Sequence, residues 1–547
     1  MSFRRMLGSC MAMLIMATTV SAASELADAA MKANKEAVRT LLQKRADVNA
    51  PQVDSATALH WTVRWDDLET TDLLIRAGAN ANAASRVGTT PLLLAISNGN
   101  AAMIDKLIKA GANTNVAVTK YGDTPLMMAA KTGRPEAIKI LLDAGAQVNA
   151  RETWGGTTAL MWAVSEGHPA AVQLLIERGA DINAQSYAIS PTPGQWQAKP
   201  VAFNDVPKAN YSGGMTPIMF AARQGDMESM RMLIAAGADL KRVSADGKTA
   251  LSLAIFNGNY DLASSLIDSK ADVNQADAEN FTPLFWAAER RLMEMSPTTP
   301  WLQTMDPLPL IKKLLDSGAN PNSQINGTPR SRTRGQARLK FGNTLMRAAF
   351  AGDLTLVKML LDHGADPLQK ANDESTALMA AAGYGFIDSY SNGKSPEDRL
   401  EVIKLLIERG ADVNGASDLG ITPLMAAAHL AQLPIIEYLI GKGANLAAHD
   451  VGKGNNQSAE PLMPIDFAIG VTTFQPNAIV NRPEAEALIR KMMVERGIKH
   501  TTSECTLRGF TCGDIDPKVA TPEQIAILRA RQTGNQVQGI TGGAGGK

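Results

Sequence analysis

A threonine followed by Pro-Leu, Ala-Leu or Pro-Ile returns through this chain at a near-constant pitch, which leaves few folds open. The anchors are Thr57, Thr90, Thr124, Thr158, Thr216, Thr249, Thr282, Thr376 and Thr422, with Asn343 standing in once. The steps between them are 33, 34, 34, 58, 33, 33, 61, 33 and 46 residues, so the longer ones read as one period plus an insertion. Residues 121–150, YGDTPLMMAAKTGRPEAIKILLDAGAQVNA, show what one period encodes. Gly122 and Asp123 make a turn, Thr124 caps the helix that Pro125 opens, and Gly133 ends it. Pro135 opens a second helix with Ile138, Leu141 and Leu142 at helical spacing, closed by Gly145 as a left-handed cap. Such a pair leaves apolar surface on both flanks, so it needs a copy on each side.

The repeated strings include TPLLLAISNG (90–99), TALMWAVSEG (158–167), TPIMFAARQG (216–225) and TPLMAAAHLA (422–431). The second halves include LLIERGADINA (174–184) and LLIERGADVNG (405–415). In these motifs the chain resembles ankyrin-repeat proteins from about residue 40 to 448. The resemblance implies an all-α solenoid of helix-turn-helix units with hairpin fingers, about twelve units counting a capping repeat at each end. It implies a binding scaffold and says nothing of which ligand is bound.

The domain reading follows from where the period holds. Residues 1–22 read as a signal peptide: Arg4 and Arg5, an apolar run from Met6 to Val20, then the small residues Ser21 and Ala22. A hydrophobic first solenoid helix is the alternative for that stretch. Residues 23–56 form an N-terminal capping repeat, 57–463 the array, and 464–500 a C-terminal capping repeat. Insertions fall at 185–212, 290–310, 323–342 and 383–399, the last ending in a helix cap at Ser395-Pro396-Glu397. The first is rich in proline and aromatics, and reads either as a contact surface or as a loop folded onto the fingers. The tail, 501–547, holds Cys505 and Cys512 before a Gly-rich disordered end. An exported chain would place those cysteines in an oxidising compartment and pair them in a disulfide; free thiols are the alternative. The expected location is accordingly the periplasm or the exterior.

Lys plus Arg equals Asp plus Glu at 54 each, which argues against a nucleic-acid partner, whose binding is driven by basic excess. No later segment is apolar for long enough to span a membrane. Enzyme chemistry finds no foothold either. His60, His168 and His363 fall in different repeats, His429, His449 and His500 further on, and no nucleophile, metal or phosphate motif appears. The expectation is a monomeric, non-enzymatic protein with no cofactor, no metal site and no catalytic residues. Where the family consensus carries His three positions after the anchor, Met127, Met161, Met219, Met346, Met379 and Met425 stand here, an exchange of polar tie for soft packing.

In the resembled family the exposed, variable positions are the residue before the anchor and those seven and eight after it. Carried over, they nominate Arg64, Trp65, Met215, Arg223, Phe256, Phe281, Arg290, Phe350, Tyr384 and His429 as a partner-binding surface on the concave face. Aromatics interleaved with arginine are the composition of binding hot spots. Trp61, Trp162, Phe220 and Trp286, four after the anchor, read as core. The partner is a protein or peptide. A second docking reading rests on the acid-free run Arg330, Arg332, Arg334, Arg338 and Lys340, which would attract an anionic envelope partner or act only as a solvated loop. A secreted factor acting on a host is a further alternative.

Overall fold

A computed structural model describes residues 25–190, 199–201, 212–294, 306–325, 342–385, 395–451, 461–470 and 482–502. The signal segment, the cationic run 330–340 and both tail cysteines lie outside them. The described chain is helical apart from one small sheet, and it divides into two compact units, residues 1–272 and 273–547. The first unit holds seven helix pairs, from Glu25–Met31 with Lys35–Gln43 to Ala250–Phe256 with Tyr260–Asp268. The second holds five, from Pro283–Glu294 with Leu308–Asp316 to Pro464–Ile469 with Pro483–Glu495.

Local chemistry sets each pair. The Thr124 hydroxyl accepts the Met127 amide at 3.3 Å, Pro125 occupies the first helical position, and Pro125–Lys131 stops just before Gly133. Gly133 has φ +62°, and a Cβ there would meet the His168 ring at 2.5 Å, so both its backbone and its neighbour demand glycine. Pro135–Asp143 then returns, burying Ala137, Ile138 and Leu141.

The methionines three after the anchor are buried, and Met127, Met219 and Met346 accept a polar contact as well. Anchor amides donate to sulfur at 3.4 Å in Thr124–Met127 and Thr216–Met219, and Gly342 donates to Met346 at 3.3 Å. His60 occupies the same position: its Nδ1 accepts the Thr57 amide at 3.1 Å and its Nε2 lies 3.0 Å from the Thr89 carbonyl oxygen. Nδ1 therefore acts as acceptor and Nε2–H as donor, the neutral ring. Burial lowers the His60 pKa below its ordinary value.

The fingers are tied by asparagines. Asn82 donates from Nδ2 to the Gly111 carbonyl at 2.8 Å while its Oδ1 accepts the Asn113 amide at 2.7 Å. Asn49, Asn115 and Asn149 repeat the bond in the first unit, as do Asn274, Asn322 and Asn414 in the second. The 185–212 insertion builds a three-stranded antiparallel sheet, order β2-β1-β3, from β1 (Ala188–Ser190), β2 (Lys199–Val201) and β3 (Ser212–Gly213). It thus enlarges one finger.

Two boundaries differ from expectation. The helix Pro283–Glu294 runs through residues assigned to the 290–310 insertion, because Arg291 is held against Asp353 at 2.7 Å. Conversely, Ser395 caps Pro396–Glu408 as expected, and that helix runs to 13 residues, where its counterpart Leu354–Asp362 has 9. At the C-terminal end the fully buried Asp466 accepts from the Met463 amide at 2.7 Å, His500 Nε2 at 2.6 Å and the Thr502 hydroxyl at 2.5 Å.

Candidate functional site

The first unit separates its charges. Its six anchored inner helices, Ala58–Arg64, Pro91–Asn98, Pro125–Lys131, Ala159–Ser165, Pro217–Gln224 and Ala250–Phe256, pack consecutively and contain no Asp or Glu. Every second helix of this unit carries at least one acid, and several of these acids are paired, as in Lys106–Asp72 at 2.7 Å and Arg178–Asp143 at 2.8 Å. The inner helices carry three cations, Arg64, Lys131 and Arg223, each seven positions after its anchor. None of the three stands in an ion pair among the described residues.

Aromatic rings meet them instead. The Arg64 guanidinium lies 5.8 Å from the Trp61 ring centre and 6.0 Å from that of Trp65; Lys131 lies 4.3 Å from Trp162, and Arg223 4.9 Å from Phe220. Contacts of this kind are worth about 0.5–1 kcal/mol at exposed sites and fix the cation's direction. Partial burial holds the Arg223 pKa below the ordinary arginine value. Trp65 is 51 % exposed and Phe256 43 % exposed, so this face offers large apolar surface beside its cations.

Arg64, Trp65, Arg223 and Phe256 are thus exposed in the first unit, as expected. Met215 is buried, a correction: its backbone pairs with Ser186 at 2.9 Å, which turns its side chain inward. In the second unit Phe281, Phe350 and Tyr384 are likewise buried rather than presented to a partner. Phe281 stacks on Phe285 at 5.0 Å and meets Trp286 edge-on at 5.2 Å. Phe350 is covered by Arg399 from the early first turn of Pro396–Glu408, which donates to its carbonyl oxygen at 3.1 Å. The Tyr384 hydroxyl donates to Asp373 at 3.3 Å, and burial first, then that carboxylate, raises its pKa. Arg290 and His429 are half-buried. Beside Arg290, Glu289 pairs with Arg347 at 2.6 Å, both buried. Of the four aromatics assigned to the core, Phe220 and Trp286 are buried, whereas Trp61 and Trp162 are half-buried under their cations.

Sequence reasoning passed over the fingertips. Val53, Val87, Tyr121 and Trp154 are exposed there, Tyr121 and Trp154 with ring centres 6.2 Å apart. The signal was legible: an apolar residue three or four before the anchor, among turn formers. The histidines do not converge on a reactive centre. His500 and Thr502 both bind Asp466, so the ring does not stand between carboxylate and hydroxyl as a nucleophile's base would. Among the described residues no group of three or more His, Cys, Asp or Glu is placed to hold a metal, and no helix is long and apolar enough to cross a membrane.

Stacked helix pairs capped by threonine and joined by asparagine-tied fingers define a class. The chain belongs to the ankyrin-repeat family: the family described as Ankyrin repeats (3 copies) matches residues 26–118, 115–186, 202–277, 218–296 and 345–450. Among curated relatives, the ankyrin repeat protein YahD of Escherichia coli (strain K12) is 35 % identical over 65 residues, 12 % of this chain and 32 % of that protein. L-asparaginase of Dirofilaria immitis is 35 % identical over 78 residues, 14 % of this chain and 13 % of that one. The chain therefore spans less than two thirds of the length of the curated relatives it matches. Among solved structures, the human ASB11 ankyrin repeat domain is 27 % identical with a TM-score of 0.34, covering 42 % of this chain and 91 % of that one. The ankyrin repeat domain of Bcl-3 is 28 % identical with a TM-score of 0.35, covering 42 % and 93 %.

Proposed function

We propose that this protein is a non-enzymatic scaffold that binds a protein partner on the inner face of its first unit. Ankyrin repeats generally mediate protein–protein interaction, and the family supplies the general class of activity. The observation that carries the particular reading is the row of ring-stacked cations with Trp65 and Phe256 exposed beside it. Aromatics and arginines dominate binding energy where they are desolvated. The sequence supports export as part of the same proposal, through the Arg4-Arg5 charge, the apolar run and the small residues before Ala23. Mass measurement of the mature chain tests the export.

The binding reading is tested by quantitative affinity capture with the intact chain and a Trp65→Ala/Phe256→Ala variant. Both side chains stand about half in water, and a cooperative thermal melt of the variant should show that it keeps its fold. Loss of partner affinity by on the order of 2 kcal/mol per truncation is expected. Partner recovery equal to that of the intact chain overturns the assignment.

A further inference from the structure

We infer that the first unit's inner face takes an extended acidic segment of a protein, its carboxylates spaced to meet Arg64, Lys131 and Arg223. This rests on the reading above and adds the chemistry of the partner. The cations recur at every second repeat, with Ser97 and Ser165 at the same register in the repeats between Arg64 and Lys131 and between Lys131 and Arg223. Neighbouring packed helices stand roughly 8–10 Å apart, so successive cations stand roughly 20 Å apart. An extended chain covers that distance in about six residues. A segment of about thirteen residues with an acid at each end and one in the middle would engage all three.

Charge complementarity selects the occupant. The six inner helices hold no acid, and Glu166 is the one acid among the positions seven and eight after their anchors; the three cations stand in no ion pair among the described residues, and rings meet them before any ligand arrives. A nucleic-acid strand fits poorly. Each strand of a duplex carries a phosphate per about 3.4 Å of helix axis, so roughly five of every six would face no cation. A polypeptide places its charges where its sequence puts them, and offers apolar side chains to Trp65 and Phe256 in the gaps.

The test is selection of a displayed library of random 16-residue peptides on the full chain at low ionic strength. The expected result is enrichment of Asp and Glu at intervals of about six residues. The best synthetic peptide should then bind Arg64→Glu/Lys131→Glu/Arg223→Glu at least 100-fold more weakly, while that variant still unfolds in one cooperative transition. Selected peptides with no acidic bias, or binding unmoved by the charge reversals, overturn the inference. If such peptides are still lost on Trp65→Ala/Phe256→Ala, the binding face stands and only the acidic chemistry falls. If neither variant matters, both readings fall. Selection of no peptide at all rejects an extended segment and leaves the face to the capture experiment.

Discussion

His60 and the methionines share one position and one task, yet only the imidazole titrates. Its folded pKa lies below the ordinary 6.5 because burial disfavours the charged ring. The unfolded chain therefore binds the proton more readily, so stability at this site is present above about pH 6.5 and falls as pH drops toward the lowered folded value. His60→Met keeps an acceptor for the Thr57 amide and removes the titration. Denaturant melts from pH 7 to 5 should show the intact chain losing stability that the variant keeps, while at pH 7 the variant is slightly weaker through the lost Thr89 contact. The Glu289–Arg347 pair is the opposite case, two charges buried together. Removing one partner by Glu289→Ala breaks a buried charge pair and should cost about 3–5 kcal/mol. Glu289→Leu/Arg347→Met should restore most of that in the same melts.

The finger shows how one residue decides an element. Leu368 stands where Asn322 and Asn414 stand in neighbouring repeats, and its amide donates to Asp366 at 2.8 Å just as the Asn82 amide donates to Asn80 at 2.9 Å. The turn is the same; the leucine side chain has neither donor nor acceptor and is 54 % exposed. Leu368→Asn should supply the missing tie and stabilise by about 0.5–1.5 kcal/mol, seen as a raised melting temperature. Helix ends were legible in the sequence because Thr124, Pro125, Gly133 and Pro135 act within a turn of themselves. Burial of Phe350 was not, since it depends on Arg399, 49 residues later, in a helix that starts a turn early. Met215 and Phe281 were misread because the residue before the anchor found cover that one period does not reveal, Met215 beside Ser186 of the preceding finger and Phe281 against Phe285 and Trp286. Trp65 and Phe256 were readable as exposed because nothing inserted beside them alters the plain repeat.

Over the whole chain, equal totals of 54 basic and 54 acidic residues conceal a local sorting of charge in the first unit. Composition excluded a basic nucleic-acid binder and by itself could not show a cationic face. The second unit depends on its last pair for closure. Phe467, Ile465 and Ile489 bury against the helices before them, and Asp466 gathers His500 and Thr502 beneath that pair. In a stack each repeat is stabilised by its neighbours. A chain ending at Val451 should therefore unfold at lower urea with a broader transition and bind a hydrophobic dye, as its outermost helices lose their cover. A truncation that melts as sharply as the full chain would refute that dependence.

Trp65 on the inner face and Trp154 at a fingertip both stand half in water. The molecule thus carries its own optical gauge: a ligand seated over Arg64 should shift indole emission to the blue through Trp65, and Trp65→Phe should diminish that shift while Trp154→Phe leaves it in place.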